Sequence, residues 1–291
     1  DLKKCLIFGA TGWLGKATIA KIIDDYPQNE LTLISSKSKK IEYKNKLYEV
    51  GSFNDFLNIK NNTFDYFYCY AFLTGNNIES KGKEHFLNET NKIIDATSTF
   101  LSQNTIKKGL LSSSGAVYWS ETKKENLYSS QKKRQEIEFL KSFENNQSLY
   151  HIARIFSVIA RDYNVEFNYA FNSFVSQAKK NKKIVITSKK KVERSYLIFE
   201  NMIDYFQKSK ESKIYDAANF DIDLVELAEI ISEIFDCNIE YPKSYNNSSQ
   251  KDLYKSKDKS FRNNFKEKKG LKQEILKVIN QTKEHPIKVI N

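Results

Sequence analysis

The feature that most constrains this chain is a cluster of three glycines near its start. Gly9, Gly12 and Gly15 fall within seven residues, in the run Gly9-Ala-Thr-Gly-Trp-Leu-Gly15, directly after the apolar stretch Cys5-Leu-Ile-Phe8. A short β-type run, a tight glycine turn and then a helix-length segment (Gly12–Tyr26) define one supersecondary unit. Glycine supplies backbone shapes closed to other residues and removes side chains where another group must come close.

The rest of the first half repeats this rhythm. Cys5–Phe8, Leu31–Ser35, Leu47–Val50, Tyr66–Ala71, Gly109–Ser113 and Tyr150–Val158 read as strands. Helix-length segments, including Glu84–Leu101 and Tyr128–Phe143, lie between them. Near-continuous apolar strands alternating with helices predict an α/β fold, a Rossmann-type doubly wound parallel sheet with helices on both faces. Beyond about residue 160 the rhythm breaks into mixed short elements, which predicts a smaller C-terminal lobe. We therefore expect a dinucleotide-binding domain over 1–160 and a substrate-binding lobe over 161–291, with 192–220 returning to the first domain. Asp223-Leu-Val-Glu226 reads as a capped helix start, and 245–259 as a polar loop.

The 291 residues carry a formal charge of +11, which raises a nucleic-acid reading. The lysines are spread over surface-like positions, and the densest runs, 179–183 and 189–191, flank the short apolar run Ile184-Val-Ile186. A solvated basic surface is expected, not a nucleic-acid groove, and such a field suits a small anionic substrate. No apolar run is long enough to span a membrane, and the start does not resemble a signal peptide. Three widely spaced cysteines (Cys5, Cys69, Cys237) argue for a reducing compartment, so the cytoplasm is expected. His85, His151 and His285 show no ligand spacing, so no metal is expected, and His151 reads as a core residue of a strand.

The glycine turn predicts that a nicotinamide dinucleotide binds with its pyrophosphate at the following helix N-terminus. Trp13 either covers that pyrophosphate or packs on the neighbouring helix, and packing is the plainer reading. An acid about 20 residues on usually holds the ribose 2′-hydroxyl of NAD. Here the run is Ser35-Ser36-Lys37-Ser38-Lys39-Lys40, so NADP is expected, with Ser35, Ser36 and Lys37 as contacts and NAD as the alternative.

Two more segments carry chemistry. Leu110-Leu-Ser-Ser-Ser-Gly-Ala-Val-Tyr118 ends a strand in serines, and Tyr128-Ser-Ser-Gln-Lys132 places a phenol and an ammonium four residues apart on a helix. A cation beside a phenol favours the phenolate and lowers its pKa from about 10 toward neutrality. Such a tyrosine can take or deliver a proton at an alcohol or ketone oxygen.

Together with the glycine turn, these segments resemble the extended short-chain dehydrogenase/reductases, the epimerase/dehydratase group that acts mostly on nucleotide sugars. The resemblance implies Ser114, Tyr128 and Lys132 as catalytic residues, with Glu136 one turn further on. It implies cofactor contacts from Gly9, Thr11, Gly12, Trp13, Leu14 and Gly15, from Ser52 and Phe53, from Ala71, and from Tyr128 and Lys132. It implies substrate contacts from Ser114, Tyr118 and Arg194, the last in Arg194-Ser-Tyr-Leu-Ile-Phe199. Arg154-Ile-Phe-Ser-Val158 resembles the sixth-strand signature with Ser157 where an Asn is usual. Ser52 stands where an adenine-binding Asp is usual, and Phe86 where strict spacing expects an Asn, with Asn88 reached only by a shift.

Gly115 and Ala116 follow Ser114, so the acid that drives dehydration in related enzymes is missing. The expected activity is NADPH-dependent reduction of a 4-keto nucleotide sugar. The alternative is a nucleotide-sugar 4-epimerase that retains NAD, and a non-catalytic NADP-binding regulator ranks below both. The resemblance also implies a homodimer.

Overall fold

The computed structural model describes residues 2–120, 122–144, 148–163, 169–243, 251–265 and 270–290. In chain order it begins with β1 (Lys4–Phe8), α1 (Trp13–Asp25), β2 (Glu30–Ile34), β3 (Lys39–Tyr43), β4 (Lys46–Gly51) and α2 (Phe53–Asn58). It continues with β5 (Thr63–Cys69), α3 (Asn76–Lys81), α4 (Lys83–Gln103), β6 (Thr105–Ser114), α5 (Leu127–Lys141), β7 (Leu149–Ile155) and β8 (Ser157–Ile159). Next come α6 (Ala170–Asn181), β9 (Lys183–Val185), β10 (Val192–Ile198), α7 (Phe199–Lys208), β11 (Lys213–Ala217) and β12 (Phe220–Asp223). The chain ends with α8 (Leu224–Phe235), β13 (Asn238–Glu240), β14 (Asp252–Tyr254), α9 (Leu271–Glu284) and β15 (Lys288–Ile290).

Two compact units result. The first comprises Asp1–Arg154, Ile203–Tyr215 and Ile287–Asn291, and the second Ile155–Met202 and Asp216–Pro286. The return of the chain to the first unit is thus narrower than the expected 192–220, and it is joined by the extreme C-terminus.

In the first unit a nine-stranded sheet runs β11-β7-β6-β5-β1-β2-β4-β3-β15. Pairs β1·β2, β1·β5, β2·β4 and β5·β6 are parallel, whereas β3·β4 and β3·β15 are antiparallel. Strand order reverses at β1, because β2 lies on one side of it and β5 on the other. That reversal opens a crevice beyond the carboxyl ends of the strands, where open α/β sheets bind ligands. Phe8, Phe56, Phe67 and Phe100 pack in the core under these strands, with Phe8 and Phe56 ring centroids 4.1 Å apart. Non-polar residues buried on both sides explain why these strands show no alternation.

The sequence leaves two edge features unread. Lys39 and Lys40 begin β3, an edge hairpin strand, and do not lie in a loop. Lys288–Ile290 pair with that strand, which covers a sheet edge that would otherwise present unpaired backbone groups.

In the second unit β10 pairs with β12, β14 and β8, and β9 pairs with β13. The single strand expected over Tyr150–Val158 is divided at Phe156: β7 belongs to the large sheet and β8 to this smaller one. The polar stretch expected as a loop contains β14, while 244–250 lie outside the described residues. Asp223 caps α8 as expected, its carboxylate accepting from the Glu226 N–H at 2.9 Å.

Candidate active site

The glycine turn lies at the carboxyl end of β1. Gly9 has φ +93°, and a Cβ there would meet the Ala71 amide nitrogen at 2.8 Å. A Cβ on Gly15 would meet the Gly9 carbonyl oxygen at 2.2 Å, so these two glycines let the turn close on itself. Gly12 differs: a Cβ there would have only the Gly9 oxygen near it, at 3.3 Å, and would otherwise point into open space. Gly12 is also the N-cap of α1, with no acidic residue in the first turn. The backbone N–H groups of that turn therefore face a cradle without side chains, which suits a phosphate. Trp13 is buried and Thr11 and Leu14 are half-buried, so the turn offers backbone more than side chains. The residues present fit a dinucleotide pyrophosphate.

Ser35 is buried, and its hydroxyl donates to the Lys37 carbonyl at 2.8 Å, which shapes the turn after β2. Ser36 and Lys37 are exposed. Ser52 is the N-cap of α2: its amide and hydroxyl donate to Asp55 Oδ2 at 2.6 and 2.7 Å. Those bonds hold the Asp55 carboxyl below its usual range. Asp55 is an acid that sequence spacing missed. It packs over Gly51, where a Cβ would lie 3.3 Å from Asp55 Oδ2, and Gly51 is in register with Ile34 at the end of β2. Phe53, beside it, stacks at 6.2 Å on Phe8.

The serine run ends β6, beside the carboxyl ends of β1 and β5. The Ser114 oxygen accepts from the Ala116 N–H at 3.1 Å and starts a 3-10 turn over Gly115–Trp119. α5 then begins with Asn126 and Ser129 capping one another, and it carries Tyr128 and Lys132 on successive turns. Lys132 is buried, and its ammonium donates to the Ser112 carbonyl and to Gln135 Oε1, each at 3.1 Å. Burial drives its pKa down to about 8, against the pull of Cys69 and Glu136. The Phe72 ring centroid lies 4.0 Å from the Lys132 nitrogen, and the same ring meets Tyr128 edge-on at 6.1 Å.

Below this pair a buried network ties four elements. Arg154 on β7 donates twice to Glu136 on α5, at 2.9 and 2.8 Å, and once to the Tyr118 hydroxyl at 3.2 Å. Ser113 on β6 donates to the same carboxylate at 2.6 Å. Burial opposes the Arg154 charge, but the Glu136 carboxylate outweighs it and holds the guanidinium up. The fold brings the glycine turn, Ala71, Ser114, Tyr118, Tyr128 and Lys132 into one unit. Phe86, not Asn88, is the buried residue of α4 near Tyr128, at 6.5 Å between ring centroids.

Arg194 lies in the second unit, on β10. Asp252 on β14 holds it through its carboxylate at 2.8 Å and its carbonyl at 2.9 Å. His151 is buried in β7, with Tyr215 Oη and the Glu211 carbonyl at 3.3 and 3.1 Å from its ring nitrogens. Among the described residues no three acidic, His or Cys side chains gather as a metal site, and no helix is long and apolar enough to cross a membrane.

No family model matches this chain, and no curated protein matches it by sequence. Solved structures do match it along its length. The fold is the one shared by nucleotide-sugar epimerases. A UDP-N-acetylglucosamine 4-epimerase from Methanobrevibacter ruminantium superposes with a TM-score of 0.69 at 19% identity, covering 98% of this chain and 99% of its own. A UDP-glucose 4-epimerase from Thermotoga maritima gives 0.69 at 13% identity, with 97% and 99% covered. A UDP-glucuronic acid 4-epimerase from Bacillus cereus, solved with UDP-glucuronic acid and NAD, gives 0.68 at 12% identity, with 97% and 99% covered. The parallel sheet and the helices around it are accordingly of the Rossmann type.

Proposed function

We propose that this chain is an enzyme of the extended short-chain dehydrogenase/reductase family that epimerises a nucleotide sugar at C4 with a retained nicotinamide dinucleotide. One observation carries the reading: a desolvated ammonium, Lys132, is fixed one turn from Tyr128, beside the serine end of β6. A desolvated ammonium held one helical turn from a phenol, at the carboxyl ends of the strands, is the kind of perturbed charge that clusters at functional sites.

When bound, the dinucleotide supplies the hydride acceptor and donor. Tyr128 takes the proton of the sugar hydroxyl as that carbon is oxidised and returns it when the carbonyl is reduced from the other face. Ser114 hydrogen-bonds the same oxygen. Lys132 would hold the nicotinamide ribose, and its charge favours the phenolate. The Glu136–Arg154 pair holds Ser113 and Tyr118, and so the strand end and turn that carry Ser114.

NAD is the cofactor that this reading favours. Epimerisation returns the hydride to the substrate, the similar Bacillus cereus structure contains NAD, and the Asp55 carboxylate beside the end of β2 repels a 2′-phosphate. The NADPH-dependent 4-keto-sugar reductase remains the second reading, favoured by the absence of an acid among Ser35–Lys40. Incubating the protein with UDP-hexoses and following C4 inversion by NMR tests the proposal. Inversion without added cofactor supports it, whereas stoichiometric oxidation of NADPH by 4-keto sugar nucleotides, with no inversion, replaces it by the reductase.

A further inference from the structure

An ammonium has three hydrogens to donate. Two of those on Lys132 go to Ser112 O and Gln135 Oε1, and the neighbour on the remaining side, among the described residues, is the face of Phe72 at 4.0 Å. A cation over an aromatic face is a favourable contact, and more so away from water. The ring also meets Phe86 and Tyr128, both edge-on, at 6.2 and 6.1 Å between centroids. Gln135 completes the enclosure, because its amide nitrogen reaches back to the Ala71 carbonyl at 3.5 Å.

The position of Phe72 in the chain matters as much as its contacts. It follows β5 in 70–74, a segment outside any helix or strand, and its neighbour Ala71 adjoins Gly9 of the glycine turn. It is half-buried, so it borders the crevice at the strand ends without belonging to the core.

We propose that Phe72 is a specificity-determining gate over Lys132: its ring occupies the place of the nicotinamide ribose, and a dinucleotide binds by displacing it. This rests on the dinucleotide reading above. A ribose diol offers the ammonium two oxygens in place of one ring face, so displacement is favourable only for a ligand that brings that ribose to Lys132. A nucleotide that stops at the pyrophosphate leaves the ring where it is. The apparent affinity for the full dinucleotide is lowered by the fraction of molecules whose gate is closed.

Equilibrium titration of NADH and NADPH, read by energy transfer from the two tryptophans, and calorimetric titration of ADP test this on the wild type, Phe72→Ala and Phe72→Leu, each first freed of any bound nucleotide. ADP carries the adenosine and both phosphates but no nicotinamide ribose. Phe72→Ala is expected to tighten the better-bound of NADH and NADPH about tenfold, the factor equivalent to about 1.4 kcal/mol, with ADP affinity unchanged. Phe72→Leu keeps apolar bulk and loses the cation contact, so it falls between, and it stands in should the alanine variant fold poorly. Equal changes for ADP and the dinucleotide, no change for either, or weaker dinucleotide binding in both variants would overturn the gate. Failure of the wild type to bind ADP or either dinucleotide removes the dinucleotide reading itself, and the gate with it.

Discussion

Replacing Lys132 by methionine should change how stability depends on pH, by an amount that follows from its burial. In the folded chain the ammonium pKa falls to about 8 from an ordinary 10.5, because burial strips its hydration. The unfolded chain therefore binds the proton more tightly, and between the two values it holds more protons than the folded chain. Stability must rise with pH in that window. With about 1.4 kcal/mol per pKa unit, the folded state is penalised by about 3 kcal/mol at pH 7 and by about 1.5 kcal/mol at pH 9.5. Lys132→Met has no such dependence, so the stability of the wild type relative to the variant should rise by about 2 kcal/mol from pH 7 to 9.5. Urea unfolding at several pH values measures this difference. The comparison cancels Lys108, whose pKa burial also lowers to about 8, and it cancels the pH-independent loss of the Ser112 and Gln135 bonds. A difference that stays flat across the window would show that the Lys132 ammonium is hydrated, and the desolvated-cation basis of the proposed chemistry would fall.

Four further outcomes follow from the same geometry. Tyr128→Phe should abolish turnover while nucleotide binding, measured by calorimetry, survives; retained turnover would remove Tyr128 from the chemistry. Arg154→Met leaves the Glu136 carboxylate buried without its partner, and should cost about 3–5 kcal/mol in chemical denaturation, with Glu136→Gln in the same chain restoring part of it. Gly12→Val should fold with near-normal Tm yet lose ADP binding, whereas Gly15→Ala should lower Tm, because its Cβ would lie 2.2 Å from the Gly9 oxygen. His151 has its pKa pushed down to about 3 by burial, with Lys108 acting the same way, so protonation opposes the fold below the ordinary 6.5. The wild type should thus lose about 2 kcal/mol more than His151→Gln between pH 8 and pH 5 in urea unfolding, and equal losses would contradict a buried neutral imidazole.

Local order in the sequence was enough to specify the glycine turn and the strands and helices around it, whereas Ser114, Tyr128 and Lys132 stood out through the resemblance to a family pattern. The turn depends on neighbours a few positions away, φ-restricted glycines directly after a strand, and the helices on side chains three and four apart. The Asp223 cap was legible for the same reason. Tertiary structure alone decided the rest. Phe72, Ser112 and Gln135 enclose Lys132 from the segment after β5, from β6 and from α5, and an aromatic residue after a strand shows no sign of the cation it will cover. Asp55 reached the end of β2 through the pairing of Gly51 with Ile34, although it follows Ile34 by 21 residues in the chain. The strand around Phe156 was divided between two sheets, and Lys288–Ile290 closed an edge formed some 245 residues earlier, because partner choice in a sheet is settled by long-range hydrogen bonds. The glycine turn could thus be read as a phosphate cradle from its own residues, whereas the surroundings of Lys132 required the folded chain.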